Sequence, residues 1–179
     1  MNIKIILLSL ILISTTVFFS GCTNQDTNDN VVTDKWLFAM DTDNVQYKYQ
    51  QSSYPTIVII DTNGKVTYYH SGYHDKETIS PIIEQTLNGE ADILGDSIDF
   101  TVTTFNGQTF TLSEKKGKVV VIDFTGVNCY WCDEQMPELQ KIQEEYGNEI
   151  ILLSIDTYFS GETKQDVIDT YGKYILMDN

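Results

Sequence analysis

The run Cys129-Tyr130-Trp131-Cys132 closely follows the apolar stretch Val119-Val120-Val121-Ile122-Asp123-Phe124, and this pairing constrains the chain more than any other feature. A short β-branched run bounded by Gly117 and Gly126 reads as a buried strand. Beyond Cys132, the positions Met136, Leu139 and Ile142 carry the spacing of an amphipathic helix. The two thiols therefore stand at a strand-to-helix turn. Free backbone N–H groups and the positive end of the helix dipole favour a thiolate on Cys129, and Cys132 is one turn away, close enough to attack a mixed disulfide. A bridge across so small a loop adds little stability through the unfolded state, so redox chemistry explains the pair better than a structural staple does.

The N-terminus places that chemistry. Residues 5–19 are almost continuously apolar after a weak polar start at Asn2 and Lys4, and Ser20-Gly21-Cys22 follows before the chain turns polar. This pattern is a secretory signal, residues 1–21, ending in a lipoprotein box with lipid on Cys22. The apolar stretch is short for a bilayer span of about 20 residues. The alternative is an uncleaved anchor with an incidental cysteine. On either reading the remainder is expected at the extracytoplasmic face of the cell membrane, with residues 22–33 as a polar tether and 34–179 as a single domain. Net charge is −15, from 26 acidic residues against 11 lysines and no arginine, which leaves no basic patch for nucleic acid.

Within the domain, residues 36–40 form a short apolar stretch and residues 45–49 a single helical turn. Ile57-Val58-Ile59-Ile60, the turn Asp61-Thr62-Asn63-Gly64 and residues 65–70 predict a β-hairpin. Residues 77–87 predict a helix with Ile79, Ile82, Ile83 and Leu87 on one face, Pro81 near its first turn and Asn88-Gly89 at its end. A second hairpin is expected from residues 100–104 and 108–112 around Phe105-Asn106-Gly107. After the Val119 strand and its helix come a strand at 150–155, a helix at 163–171 and a last apolar piece at 174–177.

Asp99-Phe100-Thr101-Val102, Asn106-Gly107-Gln108, Leu112-Ser113, Lys116-Gly117-Lys118-Val119-Val120, the Cys129-x-x-Cys132 motif and Met136-Pro137-Glu138-Leu139 form an ordered set. In these residues the chain resembles the membrane-anchored, TlpA-like or redoxin-like branch of the thioredoxin-like superfamily. The resemblance implies an α/β thioredoxin-like fold, a central mixed sheet flanked by helices, with an added N-terminal-type β-hairpin. It also implies thiol-disulfide exchange with protein cysteines and an unidentified redox partner, and calls for no cofactor. The family domain continues with a strand, a helix, a cis-proline loop, a hairpin and a last helix. Residues resembling those parts lie upstream, at 34–88. The chain thus reads as circularly permuted: 34–88 as the C-terminal half of the fold, 89–97 as a linker, and 98–179 as the N-terminal half. Lys35-Trp36-Leu37-Phe38-Ala39-Met40-Asp41 is similar to Lys173-Tyr174-Ile175-Leu176-Met177-Asp178, as though the break point were present twice. Only one copy can hold the native position, and the other is expected to fray or pair at an edge. The halves could close within one chain or between two as a swapped dimer.

By the resemblance, Cys129 is the exposed nucleophile and Cys132 the buried resolving thiol. Asp123 matches a buried acid that exchanges a proton with the resolving cysteine, although strand alternation could instead turn it to solvent. Pro55 would be the cis proline facing the dithiol, with Tyr54, Thr56 and Gly72 on the same substrate-facing surface and Tyr130 and Trp131 as the variable pair between the cysteines. Asn128 stands where relatives usually carry tryptophan, and Thr125-Gly126-Val127 replaces an aromatic-Ala sequence. His70 and His74 fall near the cis-proline surface, where an imidazolium would favour a thiolate; the alternative is two solvent-exposed histidines with no role. Two other functions fit some residues: a Cys2His2 zinc site from His70, His74, Cys129 and Cys132, or a truncated, non-catalytic binding module.

Overall fold

The computed structural model describes residues 36–175. The signal, lipidation and tether assignments, and residues 176–179 of the second repeat copy, lie outside the described residues. The strands are β1 (Leu37–Met40), β2 (Thr56–Ile60), β3 (Lys65–Ser71), β4 (Gly95–Asp96), β5 (Thr101–Thr103), β6 (Thr109–Thr111), β7 (Val119–Thr125) and β8 (Ile150–Asp156). The helices are α1 (Val45–Lys48), α2 (Lys76–Leu87), α3 (Tyr130–Tyr146) and α4 (Lys164–Tyr171). Six strands make one mixed sheet in the order β1-β8-β7-β2-β3-β4, and β5 pairs with β6 as a separate hairpin.

β7 is the axis of the sheet. All seven of its residues are buried, because it is sandwiched between parallel β8 and antiparallel β2 and covered on both faces. That environment selects the β-branched run seen in the sequence. Val119 and Val121 face a core shared with Ile57 and Ile59 of β2, Ile79 and Ile83 of α2, and Met136, Leu139 and Ile142 of α3. Val120, Ile122 and Phe124 face the opposite core, built with Val58, Ile151 and Leu153 and closed by Phe100, Val102 and Phe110 of the hairpin.

The helices start where the sequence supplies caps. Asp75 accepts from the Thr78 N–H at 2.9 Å to begin α2, and Thr163 with Asp166 forms a reciprocal capping box on α4. Asp41 accepts from Val45 N and Gln46 N at 2.8 and 3.0 Å, holding the single turn of α1. α2 begins at Lys76, so Pro81 falls in the second turn, deeper than the sequence suggested, and its missing N–H leaves the Glu77 carbonyl without its helical donor.

Two expectations change. The segment 89–97 is more than a linker: Lys65 and Val66 pair with Asp96 and Gly95, and Leu94 N donates to Val66 O, so it closes the sheet edge as β4. The second repeat copy is not frayed where it is described. Leu37–Met40 runs parallel to β8, while Tyr174 and Ile175 are buried beside it, with the Tyr174 ring 5.3 Å from that of Trp36. Apolar side chains at both copies favour burial, and only one can take the strand position.

Ile59 is fully buried where β2 meets β7, whereas Ile98 is 46% exposed. Ile59→Ala should lower unfolding free energy by about 3 kcal/mol in urea titration, and Ile98→Ala by less than about 0.5 kcal/mol.

Candidate active site

β7 ends at Thr125 and the chain turns through residues 126–128 into α3, whose N-cap is Cys129. The Cys132 N–H points at the Cys129 sulfur from 3.3 Å, the interaction that would stabilise a thiolate there. Cys129 and Cys132 form a disulfide, with Cα atoms 5.2 Å apart. Cys129 is less open than expected, at 8% exposure, but it remains the accessible member, since Cys132 has none. Tyr130 and Trp131 project from the helix start at 65% and 54% exposure.

The β2–β7 register assembles the rest of the surface. Thr56 lies opposite Phe124, so the residues before β2 emerge at the end of the sheet where β7 leads into Cys129. There the Tyr54–Pro55 bond is cis, as the family resemblance implied. Gly72, at φ 112°, donates its N–H to the Pro55 carbonyl at 2.7 Å, so it clamps the loop in a conformation that glycine allows. The Thr56 side chain is wholly buried. Its hydroxyl donates to Ser53 O at 2.7 Å and sits 2.9 Å from Ser71 Oγ, bracing the turn instead of facing outward. Tyr54 is half-buried, its hydroxyl accepting from Thr157 Oγ1 at 2.7 Å and its ring edge-on to Phe159 at 4.7 Å.

Sequence reasoning missed the loop after β8, which explains the unusual flank before Cys129. Glu162 is buried and accepts from the Val127 N–H at 2.9 Å. It also accepts from the Ser160 N–H and hydroxyl, at 2.6 and 3.0 Å, and these bonds hold its carboxylate below the usual glutamate range against the effect of burial. A Cβ on Gly126 would lie 2.5 Å from Phe159 Cβ, so glycine is required there by the packing of the loop. Asn128 adopts φ 60°, a left-handed conformation that asparagine tolerates better than bulky residues. The signal available in sequence was the replacement itself, Gly126 and Asn128 together.

Asp123 is completely buried, which settles its orientation inward. Its Oδ2 accepts from the Ser154 hydroxyl at 2.8 Å, and its Oδ1 is buried with no partner. Burial pushes its pKa from the ordinary 3.8 up to about 7, only partly offset by the Ser154 bond. Asp156, at the end of β8, is likewise pushed up to about 7 by burial and, to a lesser degree, by Glu162.

The histidines make their side-chain contacts with each other and with Tyr68. His70 and His74 stack at 3.7 Å, and His74 Nδ1 lies 2.6 Å from the Tyr68 hydroxyl. Burial and the neighbouring His70 lower the His74 pKa, so it stays neutral more readily than a free histidine. Its backbone is gripped by the wholly buried Gln135 of α3, which accepts from His74 N at 3.0 Å and donates to His74 O at 2.9 Å. This anchors the loop carrying Tyr73, whose ring is 5.9 Å from Trp131. Among the described residues no three His, Cys, Asp or Glu side chains converge as metal ligands, so the zinc arrangement is not assembled.

A strand-to-helix dithiol at the same sheet end as a cis proline, on a mixed sheet flanked by helices, is the arrangement of a thioredoxin-like fold. Residues 94–175 match the AhpC/TSA family model. The chain is similar to the thioredoxin-like protein YneN of Bacillus subtilis strain 168, 29% identical over 76 residues that cover 41% of this chain and 45% of the relative. It is also similar to the thiol-disulfide oxidoreductase ResA of Bacillus cereus strain ATCC 10987, 30% identical over 104 residues covering 56% and 54%, and to ResA of Halalkalibacterium halodurans, 27% over 77 residues covering 42% and 44%. The chain spans about half the length of these curated relatives. No solved structure matches it significantly.

Gly126→Ala should destabilise the protein by roughly 2 kcal/mol through the clash with the Phe159 Cβ, and Phe159→Gly in the same chain, which removes that atom, should recover most of the loss in a double-mutant cycle. A carboxyl whose folded pKa is raised holds its proton more tightly in the fold, so the stability linked to Asp123 is full below about pH 4 and is lost as pH climbs through about 7. Asp123→Asn removes that loss. Urea unfolding should therefore show the variant gaining on the order of 4 kcal/mol over wild type at pH 8 and little at pH 4.

Proposed function

We propose that this chain is a membrane-anchored thiol-disulfide oxidoreductase of the extracytoplasmic face, exchanging disulfides with protein cysteines through Cys129 and Cys132. The observation that carries the reading is the Cys129–Cys132 disulfide at the start of α3, at the same sheet end as the cis Tyr54–Pro55 bond. The relatives named thiol-disulfide oxidoreductase support it. In the reducing direction the Cys129 thiolate, steadied by the Cys132 N–H, attacks a substrate disulfide and releases one substrate sulfur as a thiolate. Cys132 then loses its proton and attacks Cys129, freeing the second substrate sulfur and re-forming the internal disulfide. Asp123, a buried acid poised near neutrality, takes the Cys132 proton. Every step runs in reverse for substrate oxidation, and the pair's potential against its partner sets the direction. Tyr130, Trp131 and Tyr54 form the exposed and half-buried aromatic surround against which a substrate segment would lie, with Pro55 and Gly72 shaping its floor.

The element order supports a circular permutation. The β7-α3-β8 unit precedes, in the family order, the cis-proline strand and hairpin that here come first as β2 and β3, and β2 still takes its place beside β7. That seam forms within one chain, which favours a self-contained monomer over a swapped dimer. Among the described residues no helix is long and apolar enough to cross a membrane, so attachment would rest on the N-terminal segment and lipid on Cys22.

Insulin-disulfide reduction by the purified protein should disappear in Cys129→Ser, while Cys132→Ser should accumulate a mixed disulfide with substrate visible on a non-reducing gel. Unchanged turnover in Cys129→Ser would overturn the enzyme reading. Cys22→Ala should abolish labelling by radioactive palmitate and move the protein from the detergent phase to the aqueous phase in a phase-partition assay.

A further inference from the structure

The Asp123 carboxyl belongs to a directional hydrogen-bond chain that its role in exchange does not by itself require. Asp123 shares the face of β7 that carries Val119 and Val121, the face covered by α3, and it is the last residue of that set before the strand's final position. Because β7 leads into the start of α3, this position faces the helix's first turns, where Cys132 is fully buried. Ser154, opposite Asp123 across the parallel β7–β8 pairing, has no exposure and donates its hydroxyl to Oδ2 at 2.8 Å. The Ser154 oxygen in turn accepts from the Trp36 indole N–H at 2.9 Å. Trp36 is held by ring contacts to Phe38 at 5.0 Å and Tyr174 at 5.3 Å. A serine hydroxyl has one proton and rotates to suit its surroundings. With the indole donating to its oxygen, that proton is aimed at the carboxyl, and Oδ1 is left buried without a partner.

We propose that Ser154, oriented by Trp36, is a positioning residue for Asp123: it fixes Oδ2 and leaves Oδ1 as the atom that receives the Cys132 proton. The inference rests on the exchange reaction described above. In the resolving step the Cys132 thiol gives its proton to Asp123 Oδ1 and its sulfur bonds to the Cys129 sulfur. The bond between Cys129 and the substrate sulfur breaks, and the substrate leaves as a thiolate that water protonates. The substrate disulfide is the oxidant and the Cys129–Cys132 pair is oxidised.

The surroundings supply no competing donor. β2 presents Ile57 opposite Asp123, α2 presents Ile79 and Ile83, and α3 presents Cys132. Of the titratable groups of α4, Tyr171 is the one that interacts electrostatically with Asp123, and its hydroxyl donates toward Gly126 O at 3.0 Å and Asp133 Oδ1 at 2.9 Å instead. Among the described residues the Ser154 hydroxyl is the one hydrogen-bond donor to the Asp123 carboxyl. A bond to the ionised form favours ionisation, so its loss must raise the pH at which Asp123 gives up its proton.

The test uses the reduced full-length protein in detergent, with two readouts. Infrared difference spectroscopy follows the Asp123 carboxyl against Asp123→Asn as blank, and stopped-flow measures the rate at which a mixed disulfide with a thionitrobenzoate probe on Cys129 is resolved, as a function of pH. Ser154→Ala should move both midpoints upward by roughly one pH unit and slow resolution about tenfold below the wild-type midpoint. Ser154→Thr, which keeps a hydroxyl, should restore both, and Trp36→Phe should shift them in the same direction by less. A Ser154→Ala variant that melts earlier but keeps both midpoints would reduce Ser154 to a structural role and overturn the proposal. A resolution rate insensitive to Asp123→Asn would also overturn it, while leaving the loss of turnover in Cys129→Ser, and so the exchange reading, intact. Activity surviving in Cys129→Ser would remove the exchange reading itself.

Discussion

The antiparallel pairing of β2 with β7 holds together everything else in this protein. Residues 56–60 and 120–124 are far apart in sequence, yet their register decides which side chains share a core and which loops share an edge. Closing so long a loop costs entropy that no local interaction offsets. Burial of the strand's two faces, between the helices on one side and the β5–β6 hairpin on the other, supplies the compensating hydrophobic free energy. A slip of one residue would turn every inward side chain of β2 outward and carry the cis-proline turn away from the dithiol.

The same seam explains why the site tolerates a carboxyl in its interior. An aspartate in a central strand has no water to solvate it, and among the described residues it meets one hydroxyl and no cation. The strand loses stability whenever Asp123 ionises, a cost in keeping with the proton-accepting role proposed for it above. Glu162 represents the opposite solution. Three donors surround its carboxylate, so it stays charged and serves as a fixed strut between the loop after β8 and the turn before Cys129.

Much of the fold could be read from residue patterns because each pattern had a local physical cause. The Asn63-Gly64 turn, the capping residues Asp75 and Thr163, and the β-branched run at Val119 act over a few positions. The cis bond before Pro55 was legible through resemblance. What escaped were the contacts between distant segments: Trp36 with Ser154, Gln135 with the His74 backbone, and Phe159 with Gly126. Each of these residues has an unremarkable type, and none lies at a telling spacing from its partner.

By itself, the sequence determined that a dithiol stands at the end of a buried strand and the start of a helix, since periodicity and turn residues are local properties. It also determined the chemistry open to that pair, because a thiolate at a helix start is favoured wherever the helix lies. Only the tertiary structure decided that Asp123 faces inward, that the Thr56 hydroxyl braces the turn, and that Leu37–Met40 takes the edge-strand position while Tyr174 and Ile175 pack beside it. Those outcomes depend on which face of β7 meets the helices and which segment pairs with β8 first. Burial against distant partners settles both, and no short stretch of chain carries that information.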